Sequence, residues 1–462
     1  MINKLIRKIL GPKKKQVSNT QPDILGPEKH HIDPKLVSSN AIRVTQTLQD
    51  AGFEAFIVGG AVRDLLLSVK PKDFDIATNA TPEQVKRLFK RAFIIGRRFQ
   101  IVHVMFGQDL LEVTTFRGAS SETALKDEMG RVLRDNTFGS QHEDAIRRDF
   151  TINAMYYNPA TQEVYDYHGG MSDIARKTLR VIGKADERFR EDPVRMLRVV
   201  RFAAKLNFKI DPSTRAPIAS MAPLINNVPS SRVFDEMLKL LMSGYAMACL
   251  TQLRNEGMHH DLLPLLDTAL KNPVGAKFIE LALTNTDQRI KQGKPVSPGF
   301  LFASLLWSQV KEKWVAYRTA GEHPIPALHL AANDVLDVQT EKLALQRRIT
   351  SDMRDIWALQ PRFERRTGKS PYKLLENPRF RAGYDFLLLR CAAGEIEQEI
   401  GDWWTAFAQA DGAGREEMLT ARKSKGPASS SGSRKRSGRR GGRGRGKAAE
   451  SESSTTDTVG NE

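Results

Sequence analysis

The stretch Phe56-Ile-Val-Gly-Gly-Ala-Val-Arg-Asp64, followed by Lys72-Asp-Phe-Asp75, sets the tightest limit on what this chain can fold into. An apolar run containing the β-branched pair Ile57-Val58 meets two glycines and then Ala61-Val-Arg-Asp-Leu-Leu-Leu67, so a buried strand is expected to turn sharply into a helix. Gly59 and Gly60 let the backbone approach a ligand without a Cβ in the way, and a helix start aims unpaired N–H groups at it. A polyphosphate fits such a place. Asp73 and Asp75, separated by Phe74 and followed by Ile76, read as a short strand with both carboxylates on one face. Two like charges pointing the same way call for a cation between them. A small set of hard oxygen ligands suits Mg²⁺, which completes its shell with water and substrate phosphates.

Length and charge bound the rest. A chain of 462 residues is too long for one compact core and suggests two to four domains. The net charge of +17 is concentrated at the ends: residues 1–15 carry six basic side chains and no acid, and residues 422–447 carry eleven and no acid. Such ends act as electrostatic arms toward a polyanion. Two cysteines, Cys249 and Cys391, exclude a disulfide framework and a cysteine-rich zinc site, which points to a reducing, cytoplasmic setting. No run of about eighteen apolar residues is present to span a membrane. Residues 1–10 place Ile2, Leu5, Ile6, Ile9 and Leu10 on one helical face opposite Lys4, Arg7 and Lys8, without the cleavage site of a signal peptide. They suit peripheral contact with an anionic membrane surface, and equally a disordered leader.

Residues 11–36, polar and proline-interrupted, read as linker, and a helix near Leu36–Ala51 carries a buried face at Ala41, Val44 and Leu48. Thr81-Pro-Glu-Gln starts another helix, with Thr81 as N-cap. The run Ile94–Phe106, the turn Gly107-Gln-Asp109 and the run Leu110–Arg117 form a hairpin signal. Glu112 in the second arm is either a solvent-facing strand position or a third carboxylate near the metal. His103 is a strand histidine with no assigned catalytic role. Residues 118–140 are a polar loop placed to move over the site. Arg147, Arg148 and Asp149 then fall where apolar periodicity resumes, an awkward place for three charges unless they meet a ligand or each other. A hairpin turning at Asn158-Pro159 and a last strand near Leu179–Ile182 close the head. Asp192 and Pro193 open a long helix, with Met196, Val199, Val200 and Ala203 on one face and Arg195, Arg198, Arg201 and Lys205 on the other. Residues 212–410 are mostly helical in period. Within them His259-His260-Asp261 reads as a helix end, since no companion histidine cluster accompanies it, and residues 351–370 interleave basic and aromatic side chains compatible with RNA contact.

Taken singly these signals are ordinary. In this order, the Gly-Gly turn and Asp-Phe-Asp resemble the nucleotidyltransferase superfamily, in the class that includes bacterial poly(A) polymerases and the enzymes that add CCA to transfer RNA. The segment Ile94-Ile-Gly-Arg-Arg-Phe99, followed by Ile101 and His103-Val104, is similar to the one that separates the poly(A) polymerases from their CCA-adding relatives. The resemblance is specific over residues 50–206. It implies an α+β nucleotidyltransferase head with a mixed β-sheet, followed by all-α neck and body domains and a disordered basic tail. The expected boundaries are a leader at 1–36, head at 37–185, neck at 186–260, body at 261–412 and tail at 413–462.

The family motif Arg-Arg-Asp-Phe carries a nucleotide-site role onto Arg147, Arg148 and Asp149, and Glu-Asp-x-x-Arg-x-x-Arg carries base recognition onto Asp192, Arg195 and, with Glu191, Arg198. Asp73 and Asp75 are then the ligands of two Mg²⁺ ions, Gly59, Gly60 and Arg63 orient the triphosphate, and either Asp149 or Glu112 completes the carboxylates, Asp149 being favoured. The expected activity is template-independent addition of AMP from ATP to RNA 3′ ends by a monomer, with RNA-decay proteins as partners. Two alternatives remain: a CCA-adding enzyme, and an RNA-binding adaptor with a catalytically dead head.

Overall fold

The structure is a computed structural model that describes residues 21–96, 100–118, 125–126, 132–134, 138–260, 262–264 and 266–424. Arg97, Arg98, Phe99, residues 1–20 and residues 425–462 lie outside it, as does most of the expected polar loop between 118 and 140.

The head is built on a mixed eight-stranded sheet of β1 (Asp23–Leu25), β2 (Ala55–Val58), β3 (Asp75–Thr78), β4 (Ala92–Ile95), β5 (Ile101–Phe106), β6 (Asp109–Thr115), β7 (Met155–Asn158) and β8 (Glu163–Asp166). Their order across the sheet is β1-β8-β7-β2-β3-β6-β5-β4, antiparallel except for the parallel pair β3–β6. Period-two alternation sorts the side chains. Ile57, Ile76, Val102 and Val113 point to one face, where they meet Val44 and Leu48 of α1 (Ser39–Asp50) in the main core. Phe56, Val58 and Ala77 point to the other and pack with Phe116, Ala145 and Tyr156. Asp75, the register partner of Val58, therefore emerges on this second face.

Local chemistry accounts for the helix starts. Ser38 caps α1, accepting from the Ala41 N–H. Thr81 forms a capping box with Gln84 ahead of α3 (Pro82–Leu88), and Ser140 forms one with Glu143 ahead of α4 (Gln141–Arg147). Between α1 and α3, β2 enters α2 (Gly60–Leu66) through Gly59 at φ +75°, a conformation that favours glycine.

Three expectations need correction. The stretch read as linker contains β1, which pairs with β8. The strand expected near 179–182 is shorter and outside the main sheet: Thr178–Leu179 pairs with Lys209–Ile210. The apolar run 94–106 is two strands, β4 and β5, because the chain turns back after Ile95.

Beyond the head the chain is helical. α5 (Val194–Leu206) buries Met196, Val199, Val200 and Ala203 as its period predicts, and packs against α6 (Ser230–Leu241) and α7 (Ala246–Asn255). α8 (Leu266–Lys271) and α9 (Pro273–Lys291) lead to a bundle around the helix Pro298–Thr319, whose Phe302, Leu306, Trp307 and Val310 are buried. The final residues form a separate unit, of which Gly412–Ser424 is helical, so the tail expected to be disordered from 413 begins as helix.

Candidate active site

The sheet register assembles the carboxylates. Asp75 sits opposite Glu112 across the β3–β6 pair, and Glu112 sits opposite His103 on β5. Asp73 lies just before β3, not inside it. Among the described residues neither Asp73 nor Asp75 has a side-chain hydrogen bond or ion pair, and Glu112 has only His103, with Nε2 at 3.5 Å from Oε1. Surrounding protein, then Glu112 and Asp73, push the Asp75 carboxyl up to about 6 against the pull of Arg148. Asp75 is exposed, so water screens part of that penalty. Asp75 and Glu112, paired across the sheet with Asp73 two residues before Asp75, open to solvent and short of donors, suit a hard divalent cation.

Asp149, favoured as the third carboxylate, is elsewhere. Its Oδ2 accepts from Arg198 Nε at 2.6 Å, which leaves Glu112 as the neighbour of Asp75.

Arg148 forms the wall behind Gly59. A Cβ on Gly59 would sit 3.5 Å from Arg148 Nη1 and 3.9 Å from Asp75 Oδ2, so this turn, guanidinium and carboxylate are in contact range. Arg148 is held by a buried network: it donates to Asp144 Oδ2 at 2.9 Å and to Tyr156 Oη at 3.2 Å, and the tyrosine hydroxyl donates to Asp144 at 2.7 Å. Burial alone would raise Asp144, but Arg148 and the Tyr156 hydroxyl hold its carboxyl below the ordinary value.

Arg63 is not where a triphosphate ligand was expected. It is 3% exposed and lies under the Gly60 turn, donating to Asn153 Oδ1 at 2.8 Å and to Asp64 Oδ1, with its guanidinium over the Phe202 ring. It braces the turn from below.

A pocket of about 250 Å³ opens beside the carboxylates, lined by Arg147, Arg148, Asp149, Asp192, Val194, Arg195, Arg198, Arg232 and Glu236. Residues of the Arg147-Arg-Asp149 and Asp192-x-x-Arg195-x-x-Arg198 motifs thus line one cavity, which Arg148 joins to the Gly59 turn and Asp75. Asp192 does not cap α5; Pro193 takes that place, and the Asp192 carboxylate accepts from Arg232 of α6 at 3.0 and 3.2 Å. Arg195 donates to Glu191 Oε2 at 2.9 Å and to the Arg188 carbonyl at 2.8 Å. Arg198 is shared between Asp149 and Glu236, whose other oxygen lies 3.5 Å from Arg201. Arg147 donates to the Gly118 carbonyl, and Arg188 donates to the carbonyls of Arg147 and Arg148. The arginine stripe of α5, expected beside the nucleotide, is a half-buried ion network. Arg188, Arg232, Glu236, Asp144 and Tyr156 carried no signal in the sequence reading, because each acts across elements distant in the chain.

Residues 55–180 match the poly A polymerase head domain, residues 207–270 a probable RNA and SrmB-binding site of polymerase A, and residues 320–442 the polymerase A arginine-rich C-terminus. The poly(A) polymerase I of Escherichia coli O6:H1 (strain CFT073) is 46% identical over 408 residues, spanning 85% of this chain and 87% of that protein. The chain belongs to the poly(A) polymerase family. As a poly(A) polymerase relative it is a nucleotidyltransferase enzyme. The CCA-adding enzyme of Bacillus subtilis (strain 168) is 39% identical over only 222 residues, 48% of this chain and 55% of its own. The solved CCA-adding enzyme of Bacillus stearothermophilus, in complex with CTP, shares the fold at a TM-score of 0.52 and 26% identity, covering 82% of each chain. CCA-adding enzymes are therefore more distant relatives than the poly(A) polymerases.

Proposed function

We propose that this protein extends RNA 3′ ends with AMP taken from ATP, without a template, releasing pyrophosphate at each addition. The observation that carries the reading is the pairing of Asp75 with Glu112 beside a pocket lined by Asp192, Arg195 and Arg198. In the reaction the RNA 3′ oxygen forms a bond to the α-phosphorus as the bond from that phosphorus to the pyrophosphate oxygen breaks, and the hydroxyl proton passes to solvent. Asp73, Asp75 and Glu112 would hold two Mg²⁺ ions, which supply the acidity of the attacking hydroxyl and offset charge on the departing pyrophosphate. Gly59 and Gly60 keep the backbone low so that the triphosphate lies against the turn. Arg148, fixed by Asp144 and Tyr156, presents fixed positive charge at the same place, a preorganised contribution that needs no rearrangement during reaction.

Base choice follows from donor and acceptor pattern. A carboxylate accepts and a guanidinium donates, so Asp192 and Arg195 together match a Watson–Crick edge that offers an amine donor beside an unprotonated, accepting ring nitrogen. Adenine and cytosine both have that edge; guanine, whose N1 is protonated, and uracil, which has no amine, do not. Selection of ATP over CTP then falls to pocket width, set by the Arg232–Asp192 and Arg198–Glu236 pairs that tie α6 to α5 and its N-terminal approach.

The same reading assigns residues 37–185 as head, 186–260 as neck and 261–412 as body, with β1 added to the head, and the basic residues 422–447 as an RNA-binding arm. RNA-decay proteins are the expected downstream partners of a monomeric enzyme, and residues 1–10 the segment suited to an anionic membrane surface. Purified protein incubated with ATP, Mg²⁺ and a short RNA bearing a 3′-hydroxyl should release one pyrophosphate per AMP added. Asp73→Ala and Asp75→Ala should each abolish both signals, and extension at wild-type rate by either variant would contradict the assignment.

A further inference from the structure

A second cluster of metal-binding side chains lies well along the chain from the catalytic carboxylates. After α7 ends, the chain turns through Gly257 at φ +72°, buries Met258, and presents His259 and His260 side by side, their ring centroids 3.8 Å apart. Asp267, in the first turn of α8, faces both. His259 Nε2 is 2.9 Å from Asp267 Oδ2, and His260 Nδ1 is 3.3 Å from the same oxygen. One atom from each of the three residues falls within 4.8 Å of the others.

We propose that His259, His260 and Asp267 form a binding site for a transition-metal ion of the Zn²⁺ class, separate from the Mg²⁺ chemistry of the head. Ligands about 2.0–2.1 Å from a tetrahedral ion stand roughly 3.3 Å apart; the His260 nitrogen-to-oxygen separation of 3.3 Å matches that spacing, and the His259 separation of 2.9 Å is shorter and would open slightly around an ion. The donor set also sorts the metal. Imidazole suits Zn²⁺, Ni²⁺ and Cu²⁺, whereas Mg²⁺ favours carboxylate and water oxygens. Hydrogen bonding alone serves the cluster poorly, since two adjacent rings converge on one carboxylate oxygen. A single divalent ion satisfies both nitrogens and the oxygen at once.

The surroundings fit the role. His259 is buried at 6% exposure and fixed by its own backbone, whose carbonyl accepts from the Leu262 and Leu263 N–H groups. Arg254 approaches the other carboxylate oxygen, Oδ1, at 3.7 Å, which leaves Oδ2 for the ion and orients the group. His260 is exposed and Asp267 half-exposed, so solvent reaches the open coordination position. An ion here fastens the turn after α7 to the start of α8, joining the last neck helix to the first body helix. Residue 261, between the histidines and Asp267, is outside the described residues and is not part of the site.

The test uses untagged full-length protein, freed of metal and then titrated with Co²⁺ in saturating Mg²⁺, which keeps the head carboxylates occupied. Visible absorption should rise to one equivalent and be displaced by one equivalent of Zn²⁺. His260→Ala, at an exposed position that folding does not need, should weaken Co²⁺ binding at least tenfold while keeping the metal-free melting temperature, and Asp267→Asn should weaken it likewise. Zn²⁺ should raise the melting temperature of the wild type but not of His260→Ala. Absence of stoichiometric Co²⁺ binding, or binding unchanged in His260→Ala, would overturn the site. Because the readout is spectroscopic, either result leaves the polymerase assignment untouched.

Discussion

Asp75 and Asp149 are both acidic, both in family motifs, and the structure gives them different neighbours. Asp75 stands beside Glu112, and Asp149 is spent on Arg198. Glu112→Gln should therefore lower kcat by about 10²-fold or more with little change in KM for ATP, as removal of one preorganised electrostatic group does. Asp149→Asn should act mainly on KM and nucleotide choice; steady-state kinetics on both variants separates the two, and the reverse pattern would restore Asp149 to the metal set. Arg232→Ala frees the Asp192 carboxylate, so it should raise KM for ATP and narrow the preference for ATP over CTP, measured as the ratio of kcat/KM values.

Asp144 supplies a pH signature. Its folded pKa is depressed below the ordinary 3.8, so the stability it contributes is present above that value and is lost as pH falls through the lower folded value. Asp144→Asn leaves Arg148 buried and unpaired, which should cost about 3–5 kcal/mol at neutral pH and flatten the acid limb of the stability profile below about pH 4, read by denaturant melts across pH. At this scale the sequence singled out Asp73, Asp75, Arg148 and Asp192 through their motifs. It could not say that Glu112 stands opposite Asp75 while Asp149 pairs with Arg198, because that depends on strand register and packing between segments far apart in the chain. Arg63 misled for a related reason: its motif position is right, yet the helix turns it inward onto Asn153.

Among the elements, the β2–α2 turn is the most constrained. Gly59→Ala should destabilise by about 1–3 kcal/mol, because φ +75° is strained for any residue with a Cβ, and should impair catalysis besides, because the added carbon stands between Arg148 and Asp75. Urea unfolding of the two proteins gives the first effect and single-turnover extension the second. Elements with strong periods or caps were readable: α1 from its Ala41, Val44, Leu48 spacing, α3 from Thr81-Pro82, and the buried face of α5. β1 was not, since three residues carry no alternation and Asp23–Leu25 becomes a strand only because β8 offers an unpaired edge. The start of α5 was misread for a tertiary reason, Arg232 drawing the Asp192 carboxylate away from the helix N-terminus.

The chain combines a head with the Asp75–Glu112 pair, a helical remainder that lines the pocket from α5 and α6, and basic ends most of whose charge lies outside the described residues. The change from a strand-rich to a helical half near residue 190 was legible because hydrophobic period shifts there toward 3.6. Among the described residues no helix is long and apolar enough to cross a membrane. Deleting residues 425–462 should weaken RNA binding and flatten its salt dependence, by about 0.7 in log–log slope for each lost phosphate contact, while the chemical step stays near wild type; equal affinity and slope would remove the tail from RNA binding. The most direct test of the central claim is an extension gel with each nucleoside triphosphate alone on a short RNA, and with CTP plus ATP on transfer RNA lacking its 3′ end. Long products from ATP alone are the predicted result; three additions requiring CTP and ATP, with no long ladder from ATP, would contradict it.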